Sequence, residues 1–314
     1  MQLSEALNAK REICSALGFR DVQARPEEPR VSVGISLPQQ SQRVFHIAIR
    51  ARSCDDLELA RAEGRLDVLE SYPDSEVDIR ITGPIVAPRV LERTVAKKRL
   101  SIGASIGHYC CTGGSLGFFA RRTADGTLGM VSNNHVLAAA DEGLDGDDIL
   151  HPRRADHGSR ELDVVGYLAG DYPRLDDDAP IVDCAFARLR DGILYDAVTI
   201  GPDLYLKADA APLELQCDVL KRGRSTGLTR GRVTAFAMDH CEINFDFTSV
   251  FLDQQIEIES IDDEPFSMPG DSGSLVVNPD GHPVGLLVAN SLDRLHYASS
   301  IENVLKSLGV TVLT

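Results

Sequence analysis

PFSMPGDSGSLVVN, residues 265–278, is the stretch on which the reading of this chain turns. Gly, Asp and Ser are common turn formers, and Leu275-Val276-Val277 reads as the strand that follows. The same turn also suits a nucleophile. Ser272 carries a hydroxyl, the backbone N–H groups of Gly270 and Ser272 can be aimed at one point, and Gly270 turns its N–H inward without a Cβ penalty. The two readings differ in what else they need: a serine nucleophile requires a histidine base and a carboxylate to orient that base.

Both partners occur upstream. MVSNNHVLAA (130–139) ends an apolar strand on Asn133, Asn134 and His135, and PIVDCAFARL (180–189) sets Asp183 between apolar residues. Singly, each has an ordinary explanation. A His after Asn-Asn suits a turn or helix cap, and a buried Asp can be structural once hydrogen-bonded. A Ser in a Gly-rich turn is usually just a turn residue. Together they complete an acyl-transfer set in which each member can sit on a separate loop.

The surroundings of these motifs define two regions. From about residue 96 to 314, short apolar runs recur between turn signals, as in SLGFFARR, DVVGYL, GRVTAFAM and QIEIES, which predicts a sandwich or barrel. Only SIENVLKSLG (300–309) there has helical character. Residues 1–95 read instead as a small α+β unit: helix 2–18 stopped by Gly18, strands 30–37 and 43–51 joined by PQQSQ, helix 55–72, strand 75–83. The proline-bearing, basic stretch 81–100 is the expected linker.

Composition narrows the function. With 314 residues, 43% apolar and 25% charged, the chain is expected to be a soluble globular protein of two domains. A formal net charge of −16, from 32 Lys and Arg against 48 Asp and Glu, argues against nucleic acid and anionic membrane as partners. No run approaches the roughly 18–20 apolar residues of a membrane span, and Glu5, Lys10, Arg11 and Glu12 stand where a signal peptide would be apolar. Seven cysteines without metal spacing predict reduced thiols and a cytoplasmic location, with Cys110 and Cys111 expected in the core or sheet. No metal or other cofactor is predicted: the remaining histidines show no pairing with spaced acids or cysteines. GGSLG (113–117) matches a nucleophile-elbow pattern, but no helix pattern follows it as that fold requires.

SNNHV, DCAFA and GDSGS, in that order, resemble the signature of trypsin- and chymotrypsin-like serine peptidases across roughly residues 100–314. KRGRSTGLTRGRV (221–233) and GASIGHYCCTGGSLGFFARR (103–122) resemble strands of bacterial intracellular members. The resemblance implies a mostly β, chymotrypsin-like double β-barrel, here preceded by the α+β unit, with the site in the cleft between two six-stranded barrels. It implies His135 as general base then acid, Asp183 as its orienting group, Ser272 as nucleophile, and Gly270 with Ser272 as oxyanion donors. The substrate is then a protein or peptide.

Two departures stand out. The cysteines that bracket these motifs in secreted relatives are mostly missing. In digestive relatives a newly cleaved N-terminus pairs with the Asp before the serine, here Asp271; either Asp271 has another partner, or the N-terminal unit is removed, KKRLSIGAS (97–105) being the candidate site. By the same resemblance Phe266 floors the specificity pocket and Val288, Ala289 and Asn290 wall it, favouring small or medium apolar side chains before the cut. The N-terminal unit is expected to regulate the protease, with a regulatory partner of its own, or else simply to pack against it. The rival of a different class is a latent or inactive protease fold kept as a binding module, which would have no chemical reason to retain all three residues.

Overall fold

The computed structural model describes residues 1–17, 30–37, 44–85, 99–177, 179–210, 212–245, 249–291 and 294–314. Strands dominate, and the apolar runs of the sequence supply them. In Asp218–Gly223 burial alternates residue by residue, the signature of a strand with one face turned to a core. That strand closes a ring. Its neighbours, in order, are Leu275–Val277, Pro283–Asn290, Leu295–Ser300, Gln255–Ser260 and the thirteen-residue Gly227–Asp239, which pairs back onto Asp218–Gly223. This is a closed, six-stranded antiparallel barrel filled by Val219, Val233, Ile256, Ile258, Val276, Leu287 and Ala298.

The other sheet, apart from its C-terminal strand, precedes it in sequence. It runs Val310–Val312, Phe118–Arg122, Leu128–Ser132, Ala185–Leu189, Val164–Leu168, Asp148–Leu150, Ser105–His108, Gly114–Ser115. Its last strand continues into Phe118–Arg122 after two residues, so the sheet curls back towards its start. The ladder that would complete it is only two residues long (Ser105↔Ser115, Ile106↔Gly114). One barrel is therefore closed and the other is a curled half-barrel, in a chymotrypsin-like double-barrel arrangement.

A shared core joins the two. Phe118, Val131 and Phe186 of the half-barrel pack with Leu275, Val277 and Leu286 of the closed barrel. The C-terminal helix Ile301–Leu308 adds Ile301, Val304 and Leu308 from one face, and strand Val310–Val312 then pairs with Phe118–Arg122 across the molecule. The chain end thus staples the half-barrel to the closed one.

The N-terminal residues form helix Leu3–Ala16, strands Val31–Ser36 and His46–Ala51, helix Cys54–Ala62 and strand Val77–Ile81. The second helix is shorter than the expected 55–72. It starts where Ser53 accepts a hydrogen bond from the Asp56 amide, and it stops because Gly64 takes a left-handed φ of 71°. Asp67–Ser71 then continues as a 3-10 turn. Strand Val31–Ser36 pairs with Gly227–Asp239 (Val33↔Asp239, Ile35↔Phe236, Ser36↔Ala235), so the N-terminal sheet and the closed barrel make one nine-stranded sheet. A buried ion pair crosses the seam: Arg50 Nε lies 2.8 Å from Glu257 Oε2 and Nη2 3.0 Å from Oε1. Residues 86–98, and with them the expected boundary near residue 95 and most of the linker, lie outside the described residues, as do Gly18 and PQQSQ.

Cys110 and Cys111 depart from expectation. The strand ends at His108, whose Nδ1 accepts the Cys110 amide at 3.2 Å, so both cysteines fall in the turn, Cys110 exposed and Cys111 half-buried.

Candidate active site

Adjacent strands bring His135 and Asp183 together. Leu128–Ser132 delivers its chain to the one-turn helix Asn134–Leu137, which carries His135, while Asp183 lies two residues before the neighbouring strand Ala185–Leu189 (Ala185↔Ser132). Asn133 locks the junction by donating from Nδ2 to the Asp183 carbonyl at 2.7 Å. Asp183 is fully buried, and its oxygens divide their work: Oδ2 lies 2.5 Å from His135 Nδ1 and Oδ1 accepts the His135 amide at 3.2 Å. A carboxylate acceptor at Nδ1 makes that nitrogen the donor and leaves Nε2 as the available base. On its other side the imidazole packs against Phe245, ring centroids 5.0 Å apart.

The Ser272 turn is held from behind. Gly270 and Gly273 adopt φ of 98° and 86°, and a Cβ on Gly273 would come 1.9 Å from Ser132 Oγ, so only glycine fits there. Asp271 is buried beneath the turn. Its Oδ1 accepts the Ser225 amide at 2.7 Å, and its Oδ2 accepts Thr226 Oγ1 at 2.7 Å and the Met268 amide at 3.0 Å. Lys221 Nζ stands 3.4 Å from Oδ2, in an interior where burial pulls the ammonium pKa down to about 8, partly offset by Asp271 itself. The partner of Asp271 is therefore a lysine on strand Asp218–Gly223.

The carbonyls of the turn are occupied. Pro269 O accepts from Ser225 Oγ, Gly270 O from Ser115 Oγ at 2.8 Å, and Ser272 O from the Ser115 amide at 2.8 Å. Among the described residues, neither the Gly270 nor the Ser272 amide donates a hydrogen bond. Three committed carbonyls and two uncommitted amides suit a site that receives an anionic oxygen. Gly114 measures how closely the halves of the site meet: a Cβ there would lie 2.4 Å from Ser272 O and 2.7 Å from Cγ2 of Val136, the residue after His135. The Ser272 hydroxyl and His135 are not hydrogen-bonded in this structure.

The expected pocket residues fare differently. The Phe266 ring is fully buried in the closed barrel's core, edge-on to His296 at 5.4 Å, and Val288 and Ala289 are sealed in a cluster with Met238 and Tyr297. None of these three side chains reaches a solvent-open surface, so any part they take in a pocket is through the backbone. Asn290 alone is half-buried, and its Oδ1 has no hydrogen-bond partner among the described residues. Sequence reasoning missed Lys221, Ser115 and Phe245. KRGRSTG and GGSLG contained the first two, but only packing distances reveal that they hold the serine turn.

The Nal1 C-terminal domain family matches residues 201–298, under a third of the chain. No curated protein matches. Among solved structures, the chain is similar to a glutamic acid specific serine protease described as using a histidine triad in substrate binding: 18% identical, TM-score 0.48, covering 68% of this chain and 100% of that one. It is also similar to Cellulomonas bogoriensis chymotrypsin (16% identical, TM-score 0.47, 69% of this chain and 100% of that one). A third is Thermobifida fusca protease A (14% identical, TM-score 0.46, 68% of this chain and 99% of that one).

Proposed function

We propose that this chain is a serine endopeptidase. The observation that carries the reading is the 2.5 Å contact between His135 Nδ1 and Asp183, beside a glycine-framed Ser272 whose neighbouring amides are unused. In this scheme Ser272 Oγ attacks the scissile carbonyl while His135 Nε2 takes its proton. The oxyanion forms at the Gly270 and Ser272 amides, and the intermediate collapses as His135 returns the proton to the leaving amine. Water, activated by the same nitrogen, then hydrolyses the acyl-enzyme. Asp183 holds the imidazole tautomer throughout.

The seven free thiols favour a reducing, cytoplasmic setting. Control by the N-terminal unit is supported by its route to the site: Ile85 O accepts both the amide and Nδ2 of Asn244, each at 3.0 Å, and the next residue, Phe245, packs on His135. A partner acting on that unit would be felt at the imidazole.

A latent protease is the second reading, favoured by the missing hydrogen bond between Ser272 and His135. Incubation with a denatured-protein peptide library, followed by mass spectrometry of new termini, separates the two. Cleavage by the parent, abolished in Ser272→Ala and reduced about 10⁴-fold in Asp183→Asn, supports the endopeptidase. An uncut library supports latency.

A further inference from the structure

Beneath the Ser272 turn lies a charged group that the scheme above leaves without a task. Arg153 is fully enclosed, a place where a guanidinium is costly unless its donors and its charge are met. They are met only in part. Nη1 donates to Gly113 O at 2.8 Å, but Nε and Nη2 have no hydrogen-bond partner among the described residues. The one carboxylate at hand, Asp156, stands 3.3 Å from Nε, and its oxygens are already engaged by Arg224, through Nη2 and through Nε at 2.7 Å, and by Ser105 Oγ at 2.5 Å. Burial accordingly lowers the Arg153 pKa, with Asp156 offsetting part of the effect.

The location of this under-neutralised charge is specific. A methyl group built on Gly270 would lie 3.1 Å from both Nη1 and Nη2. Gly270 is one of the two residues whose amides are free to face an anion. The guanidinium thus stands against Gly270 itself, in an interior of low dielectric where a charge acts over several ångströms. An anion forming at those amides adds the counter-charge that Asp156, shared with Arg224, supplies only in part.

We propose that Arg153 is a positioning residue for acyl transfer, its charge acting through Gly270 to stabilise the oxyanion. The inference rests on the serine-peptidase reading. It assigns the cost of an unsatisfied buried guanidinium to preorganisation: the charge is set in place before the reaction and is matched only as the tetrahedral oxygen becomes negative.

The test uses the full chain and a peptide trifluoromethyl ketone, ¹³C-labelled at the carbonyl, which adds Ser272 Oγ to form a hemiketal. The ¹³C shift followed against pH reports the hemiketal hydroxyl pKa, a direct measure of oxyanion stabilisation that a purely structural role would leave unmoved. Arg153→Met is expected to raise that pKa by about one to two units, equivalent to a tenfold to hundredfold loss of stabilisation, whereas Arg153→Lys keeps the parent value. Arg153→Gln retains a donor for Gly113 without the charge and carries the same prediction if the Met variant does not fold. A neutral variant whose hemiketal titrates with the parent overturns the proposal and leaves the peptidase reading standing. A parent that forms no hemiketal overturns that reading and this proposal with it.

Discussion

The Lys221 ammonium lies 3.4 Å from the Asp271 carboxylate, and both side chains are sealed from solvent. The pair sits one residue from Ser272, so the turn depends on a charge whose pKa is about 8. As pH rises through that value Lys221 goes neutral and Asp271 keeps only its neutral donors. The folded chain releases this proton before the unfolded chain does, so between about pH 8 and the ordinary lysine range the unfolded state binds more protons. The contribution of Lys221 to stability therefore increases with pH while the turn loses its ion pair. Active-serine labelling is expected to fall with a midpoint near pH 8, without a matching drop in the thermal midpoint between pH 7.5 and 8.5. A labelling rate flat to pH 10 would show that the ion pair does not hold the site.

The Arg50–Glu257 pair should matter to stability more than to chemistry. Glu257 is fully buried and also accepts from Thr234 Oγ1 at 2.9 Å and Tyr297 Oη at 3.3 Å. Burial alone would raise its pKa, but Arg50 outweighs this and the net shift is downward. A depressed carboxylate stabilises the fold above its unfolded pKa and loses that contribution as pH falls through the folded value, here on the acid side of the ordinary Glu range. Glu257→Gln leaves the buried guanidinium with Asp78, 2.9 Å from Nη2, as its remaining carboxylate among the described residues, and is expected to cost about 3 kcal/mol in urea unfolding at pH 7. A loss below 1 kcal/mol would mean that the seam between the N-terminal sheet and the barrel is not held by this pair.

Removing residues 1–95 tests how far the N-terminal unit can be treated as separate. Its strand Val31–Ser36 covers Gly227–Asp239, and a chain beginning at residue 96 would expose Ala235 and Met238 while leaving Glu257 buried without Arg50. The truncated chain is expected to aggregate or to melt well below the parent. A soluble, cooperatively folding product that labels faster than the parent would instead mark the unit as a dispensable restraint.

What could be read from the sequence follows from how far each feature depends on distant packing. His135, Asp183 and Ser272 stood out because acyl transfer admits few residue types, and those types recur in fixed local settings. Short apolar runs between turn signals pointed to a sandwich or barrel, and the resemblance to serine peptidases implied the double barrel. Pairing of Val31–Ser36 with Gly227–Asp239 was not visible, because edge pairing joins residues some two hundred positions apart and leaves no local trace. The pocket residues were placed by counting from the serine, but counting does not settle which face a side chain takes. The register of strand Pro283–Asn290 shifts between Leu287 and Ala289, and the strand is buried on both faces, so Val288 and Ala289 both end inside. Arg153 carried no sequence signal at all; an arginine beside a proline reads as surface until its burial is known.

The central claim is that Ser272 is an activated nucleophile facing a formed anion site. Treating the full chain with a fluorophosphonate and measuring intact mass tests it most directly, with Ser272→Ala as the control. A single adduct on the parent and none on the variant is expected. An unlabelled parent, or a variant labelled as fast as the parent, would contradict it.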